Sequence, residues 1–141
     1  MSKLDYAGDL SPLESWDILL KEKESFLIDC RTQPEWQFVG IPKLEDLKKK
    51  PIFIEWQLYP SMSINENFLN EVQESPINKD STIIVICRSG GRSKSAAEFL
   101  TSKGYKNCYN CLDGFEGTHN QNEHRSNSSG WKFSKLPWRQ G

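Results

Sequence analysis

Thr82-Ile83-Ile84-Val85-Ile86-Cys87-Arg88-Ser89-Gly90-Gly91-Arg92-Ser93 is the stretch on which the fold turns. Residues 82–86 are β-branched throughout and apolar on both faces, the pattern of a central parallel strand. A polar turn with two adjacent glycines follows at once. From Ser93 to Lys103 the pattern changes to helical spacing, with Ala96, Ala97, Phe99 and Leu100 on the inner side and Gly104 as terminator. Strand, tight turn and helix in that order place the turn at the carboxyl end of a central strand, where open α/β sheets hold their ligands.

Working outward, the pattern repeats. Phe26-Leu27-Ile28 is too short for a helix and reads as a buried strand ending in Asp29-Cys30-Arg31, after which Thr32 caps a short helix through Trp36 and Phe38, stopped by Gly40 and Pro42. Ser11-Pro12-Leu13-Glu14 combines an N-cap, an N1 proline and a capping-box glutamate, predicting a helix to about Lys23 with Leu13, Trp16, Leu19 and Leu20 at helical spacing. Ile52 to Tyr59 alternates as a strand, Asn65 opens a helix carrying Phe68, Leu69 and Val72, and a last strand covers about Asn107 to Leu112. Strands alternating with helices predict an α/β fold, a central parallel sheet of about five strands with helices on both faces. One domain over residues 1–141 is expected, with a polar loop at about 117–130. Beyond it a C-terminal aromatic segment, Trp131, Phe133, Leu136 and Trp138, packs back as core cover.

Composition narrows the function. Among 141 residues, 18 Lys and Arg against 19 Asp and Glu give a net charge of −1, which disfavours a general nucleic-acid binder. The longest apolar run, Ile83 to Cys87, falls far short of the roughly 18 residues of a membrane helix. The first residues lack the apolar core of a secretory signal, so a cytoplasmic protein without membrane partners is expected. Four cysteines, at 30, 87, 108 and 111, are too sparse for a disulfide scaffold and fit a reduced interior with one reactive thiol. Lys48-Lys49-Lys50 reads as a solvated face.

Cys87 is that thiol. Two glycines let the loop curl so that successive N–H groups converge, the following helix adds its positive end, and Arg88, Arg92 and Lys94 add charge. Each of these favours thiolate over thiol, so Cys87 is expected to have a depressed pKa and to act as a nucleophile without a histidine. Arg88, Ser89, Gly90, Gly91, Arg92 and Ser93 are the expected substrate-binding and loop-amide residues. Asp29, Arg31 and Glu35, at the end of the neighbouring strand, are expected to brace the loop, with Glu35 holding the Arg92 fork. Arg88, beside the nucleophile, has no evident scaffold duty. Cys30, Cys108 and Cys111 read as packing residues. Cys108-x2-Cys111 with His119 and His124 imitates a zinc site, but residues three apart on a strand face opposite ways, so no metal and no cofactor is expected.

Cys87 to Arg92 resembles the six-residue Cys-Arg-x-Gly-x-Arg active loop of the rhodanese family, in a single-domain form. Leu27-Ile28-Asp29-Cys30-Arg31 with Glu35-Trp36 resembles that family's Asp-Val-Arg strand and following helix, and Gly114-Phe115-Glu116-Gly117 its segment after the loop. Val39-Gly40-Ile41-Pro42 departs from the usual Gly-His-Ile-Pro, and Asp113 stands where a glycine pair begins, a turn position that Asp tolerates. The resemblance implies a sulfurtransferase. Cys87 takes a sulfane sulfur from a small donor such as thiosulfate and passes the persulfide sulfur to a thiophilic acceptor, cyanide, a small thiol or an acceptor protein. A cysteine phosphatase is the rival reading. Its loop has five residues between Cys and Arg, whereas Cys87 and Arg92 enclose four, a ring suited to a sulfur rather than a phosphoryl group.

Overall fold

The computed structural model describes residues 5–118, 121–122, 124–126 and 128–140. Strand β1 (Gly8–Leu10) leads into α1 (Pro12–Lys21), then β2 (Ser25–Asp29), α2 (Gln33–Phe38), β3 (Ile41–Pro42) and a single 3₁₀ turn at Glu45–Leu47. Short strands β4 (Ile52–Phe53), β5 (Gln57–Leu58) and β6 (Ser63–Ile64) precede α3 (Phe68–Glu74), β7 (Thr82–Ile86), α4 (Gly91–Ser102), β8 (Asn107–Cys111) and β9 (Trp138–Arg139).

Five strands form one parallel sheet in the order β1-β8-β7-β2-β4, which is the α/β architecture expected. β7 lies at its centre because its side chains are apolar on both faces and need cover on both. Ile28 and Val85, paired in register, face a core closed by α3 and α4 through Phe68, Val72, Ala96, Ala97 and Leu100. Leu27 and Ile84, the pair beside them, face the opposite core with Leu19 of α1, Leu44, Phe115 and Trp131. Each buried Leu, Ile, Val or Phe among them contributes about 1.5–3 kcal/mol of transfer free energy. Trp131 is wholly buried and meets Trp16 edge to face at 5.9 Å, whereas Trp138 stays 39% exposed.

The caps follow the sequence. Ser11 Oγ accepts from the Glu14 amide at 3.0 Å while Glu14 accepts from the Ser11 amide at 2.9 Å, and Gly104 takes φ +97° beyond the end of α4. The structure departs from the expectations in four places. The alternation over 52–59 is real for burial, since Ile54 and Trp56 are in the core, but the ladder on β2 ends at Phe53 because β2 itself ends at Asp29. The chain then turns into the β5–β6 hairpin. The helix expected from Asn65 begins at Phe68; Asn65 instead accepts from the Asn67 amide at 3.0 Å and holds the preceding turn. β1 was not anticipated, and its partner is the outer edge of β8. Lys49 is also less free than a solvated face suggests, because its ammonium donates to Glu22 O at 2.8 Å and Ser25 O at 3.0 Å.

Candidate active site

Cys87 follows the last residue of β7 and Gly90 caps α4, so three residues carry the chain from sheet to helix. Gly90 makes this possible with φ +111°, a conformation that side chains resist. Gly91 needs no such freedom. It is the first residue of α4, and a methyl group there would meet nothing within 4 Å. The curl therefore depends on one glycine rather than the expected two. A third glycine closes the site from behind: at Gly114, φ +60°, an added Cβ would stand 2.4 Å from the Cys87 carbonyl oxygen. Asp113 before it adopts φ +62°, the turn conformation anticipated for it.

The Cys87 sulfur is 1% exposed as a residue and well supplied with donors. The Gly90 amide donates to Sγ at 3.1 Å, and Ser93 Oγ lies 3.2 Å away. The thiol is pulled down to about 5, first by a hydrogen bond from Cys30 and then by the Ser93 hydroxyl and the Ser93 and Gly90 amides, against the opposing effect of burial. Burial and the adjacent Cys87 push Cys30 the other way, so it stays a protonated donor. Burial likewise raises Cys108 to about 11 and Cys111 to about 12. Of the four thiols, Cys87 alone is shifted toward the thiolate.

Both loop arginines are engaged by carboxylates. Arg92 grips Glu35 with two parallel bonds at 2.7 and 2.9 Å, as the sequence suggested. Burial would raise the Glu35 carboxyl, but Arg92 and Thr32 outweigh it and hold the group below its ordinary value. Arg88 was expected to have no scaffold duty, yet its Nε lies 3.3 Å from Glu116, and its carbonyl accepts from the Glu116 amide at 2.9 Å. Its side chain remains 48% exposed. Ser89 and Lys94 are exposed.

Asp29 and Arg31 form a fully buried pair, with Arg31 Nη2 donating to Asp29 at 2.7 Å and to the Gly40 carbonyl at 2.7 Å. The guanidinium stacks 4.3 Å over Phe115, whose amide donates to the Cys87 carbonyl at 2.8 Å. The pair thus braces the loop through Phe115, while Glu35 braces it through Arg92.

Two residues belong here beyond those expected, Cys30, read from the sequence as strand packing near the pocket mouth, and Asn110. A strand-end cysteine gives no sign of its partner until the register of β2 on β7 is known. Asn110 Oδ1 lies 2.5 Å from Ser93 Oγ, and its amide nitrogen donates to Asp9 at 3.1 Å, which also accepts from Tyr6. Cys108 and Cys111 pack in the two opposite cores, on the two faces of the sheet. His119, considered with them, lies outside the described residues.

Comparison with known proteins agrees with this geometry. A family described as the STR4 middle domain matches residues 8–141. An uncharacterized protein of Rickettsia conorii is 46% identical over 125 residues, spanning 89% of this chain and 91% of that one. The crystal structure of Rv0390 from M. tuberculosis superposes with a TM-score of 0.89 at 41% identity, covering 96% of this chain and 99% of that chain. The chloroplastic thylakoid rhodanese-like protein of Oryza sativa is 28% identical over 134 residues, covering 93% of this chain and 25% of that protein. With a match that runs from residue 8 to residue 141 and relatives of this kind, the chain belongs to the rhodanese-like family.

Proposed function

We propose that the protein is a thiosulfate sulfurtransferase in which Cys87 is the nucleophile. The rhodanese-like family is a sulfur-transfer family, and the observation that carries the finer reading is the Cys87 sulfur itself, which accepts from the Gly90 amide at 3.1 Å and lies 3.2 Å from Ser93 Oγ, contacts that favour the thiolate. A permanent thiolate suits a transfer that moves no proton. The thiolate attacks the sulfane sulfur of the donor, an S–S bond forms on Cys87, and sulfite leaves with the electron pair of the broken bond. A thiophilic acceptor then takes the outer sulfur and returns the thiolate, so one difficult transfer becomes two easier ones.

The remaining site residues have roles in this cycle. The amides of the 88–93 loop, Ser89 and Gly91 included, and the α4 N-terminus provide fixed dipoles toward the added sulfur and the anionic donor. Arg88, half exposed, receives the donor's charge; Arg92 and Glu35 hold the cradle, and Asp29 and Arg31 support it from the other side. Partners are a small sulfur donor and a thiophilic acceptor, small molecule or protein, with no role for nucleic acid or membrane; no helix among the described residues is long and apolar enough to cross one. Four free, buried thiols accord with a cytoplasmic setting.

Steady-state thiosulfate:cyanide turnover tests this reading. Activity is expected in the parent and lost in Cys87→Ser, and an aryl phosphate should be hydrolysed negligibly by comparison. Turnover persisting in Cys87→Ser contradicts the assignment.

A further inference from the structure

The register of the central sheet sets a second thiol against the nucleophile. Asp29 of β2 pairs with Ile86 of β7, and the Cys30 amide donates to the Ile86 carbonyl at 3.0 Å, so the ladder runs one step further and brings Cys30 beside Cys87. Both side chains lie in the same core. Adjacent strands stand about 4.8 Å apart. That spacing falls inside the roughly 4.4–6.8 Å between Cα atoms that a disulfide requires. Neither other cysteine is so placed. Cys108 pairs with Ile83, four positions back along β7 and about 13 Å away, and Cys111 packs in the opposite core.

Cys30 is 0% exposed. The sulfur placed within its reach is that of Cys87. In the reduced protein nothing happens between them, because a thiolate is not an electrophile. The situation changes once Cys87 carries a sulfane sulfur.

We propose that Cys30 is a resolving thiol, which attacks the inner sulfur of a Cys87 persulfide and expels the outer sulfur as hydrosulfide. The inference rests on the sulfur-transfer reading of Cys87. A Cys30–Cys87 bond forms and the bond from Cys87 to the outer sulfur breaks. The proton of Cys30 leaves with the outgoing sulfur, so a thiol and a persulfide anion become a disulfide and hydrosulfide. The sulfane sulfur is reduced and the two cysteines are oxidised, with no external oxidant. A dithiol reductant then attacks the Cys87 sulfur, reopens the disulfide and leaves as its own disulfide.

This exit competes with the acceptor route in a defined way. An acceptor attacks the outer sulfur and displaces the Cys87 thiolate, a good leaving group because its pKa is low. Cys30 attacks the inner sulfur and displaces hydrosulfide while itself held protonated by burial, a slower step despite its fixed proximity. Transfer therefore prevails when an acceptor is present, and resolution consumes the persulfide when none is. The protein gains a second activity, release of sulfide from a sulfane donor at the expense of a dithiol.

The test uses the full-length chain, reduced, loaded with thiosulfate and desalted without an acceptor. Trapped sulfide, intact mass and a peptide map are followed over time for the parent, Cys30→Ser and Cys30→Ala. Serine retains a hydrogen-bond donor but cannot form the disulfide, and alanine serves where a buried hydroxyl disturbs folding. In the parent, the added sulfur should disappear with release of about one sulfide per persulfide lost, the mass settling two hydrogens below the reduced chain with residues 30 and 87 cross-linked. Both variants should take up sulfur at Cys87 and keep it about tenfold longer or more. Equal persulfide lifetimes in parent and variants, or sulfide release without the cross-link, overturn the resolving role alone. No sulfur on Cys87 of any form overturns the transfer reading, and the resolving role with it.

Discussion

Arg92 and Glu35, 57 positions apart in the chain, meet as a two-bond pair at 2.7 and 2.9 Å that ties the active loop to α2. Both side chains are about four-fifths buried, at 18% and 19% exposure, so neither charge is well solvated without the other. Arg92→Ala is expected to cost about 2–3 kcal/mol of stability by leaving the carboxylate without its partner, and to lower kcat as the loop loosens. Arg92→Lys should recover little, since an ammonium cannot reproduce the fork. Because the Glu35 carboxyl is held below its ordinary value, its contribution is complete above the unfolded pKa and is lost as pH falls through the folded one. Urea unfolding of parent and Arg92→Ala across acidic pH checks this: the gap between them should close toward low pH.

Arg88 should behave differently. Its pairing with Glu116 at 3.3 Å is half exposed and worth about 0–1 kcal/mol, so Arg88→Ala should unfold at nearly the parent's midpoint. The thiosulfate KM should nevertheless rise severalfold while kcat changes less. An unchanged KM would remove Arg88 from donor binding.

The Cys87 thiolate can be titrated by its ultraviolet absorbance, with a midpoint expected at about 5 in the parent. Cys30→Ala removes the largest stabilising contact and should move the midpoint upward, and Ser93→Ala should do so by about one unit, the effect of one hydrogen bond of roughly 1.4 kcal/mol to a charged acceptor. Activity should follow the thiolate, so the acid limb of kcat/KM shifts with the same sign in each variant. Stability is linked in the same direction: a depressed thiol favours the folded state above the unfolded pKa, and that benefit fades as pH falls toward 5. Variants whose midpoints stay at the parent's value would show that the donors around Sγ do not hold the charge.

The three glycines at the site should not be equivalent. Gly91→Ala, at a helical position with open space, should fold and turn over like the parent or be stabilised by up to about 1 kcal/mol. Gly90→Ala forces a side chain into a positive φ and should distort the loop at a cost of about 1–2 kcal/mol. Gly114→Ala should be the most damaging, as its Cβ would overlap the Cys87 carbonyl. Thermal unfolding and turnover of the three variants give the ranking directly.

How far the sequence reaches can be judged from the same residues. Strand β7, the loop and α4 were legible because their periodicity and punctuation are local: five β-branched residues, a glycine turn and a helix ended by Gly104. The Glu35–Arg92 pair was legible from position, since Glu35 follows the end of a strand expected beside the loop, although no window of sequence contains both residues. β1 escaped because Gly8-Asp9-Leu10 holds a single large apolar side chain and owes its extended form to the edge of β8. Cys30 and Asn110 escaped for a related reason. Cys30 acquires its role from strand register, and Asn110 from a serine on α4 and an aspartate on β1; no window of sequence contains those partners. The alternation from 52 to 59 misled in the other direction, reporting which side chains are buried but not where the neighbouring strand stops.

The central claim, that Cys87 is the sulfur-carrying nucleophile, is tested most directly by intact mass after brief exposure of the reduced protein to thiosulfate, with an immediate acid quench and a peptide map. One added sulfur located on Cys87 in the parent, absent from Cys87→Ser and removed by cyanide as thiocyanate, is the result predicted. A parent that takes up no sulfur, or carries it on another residue, contradicts the account.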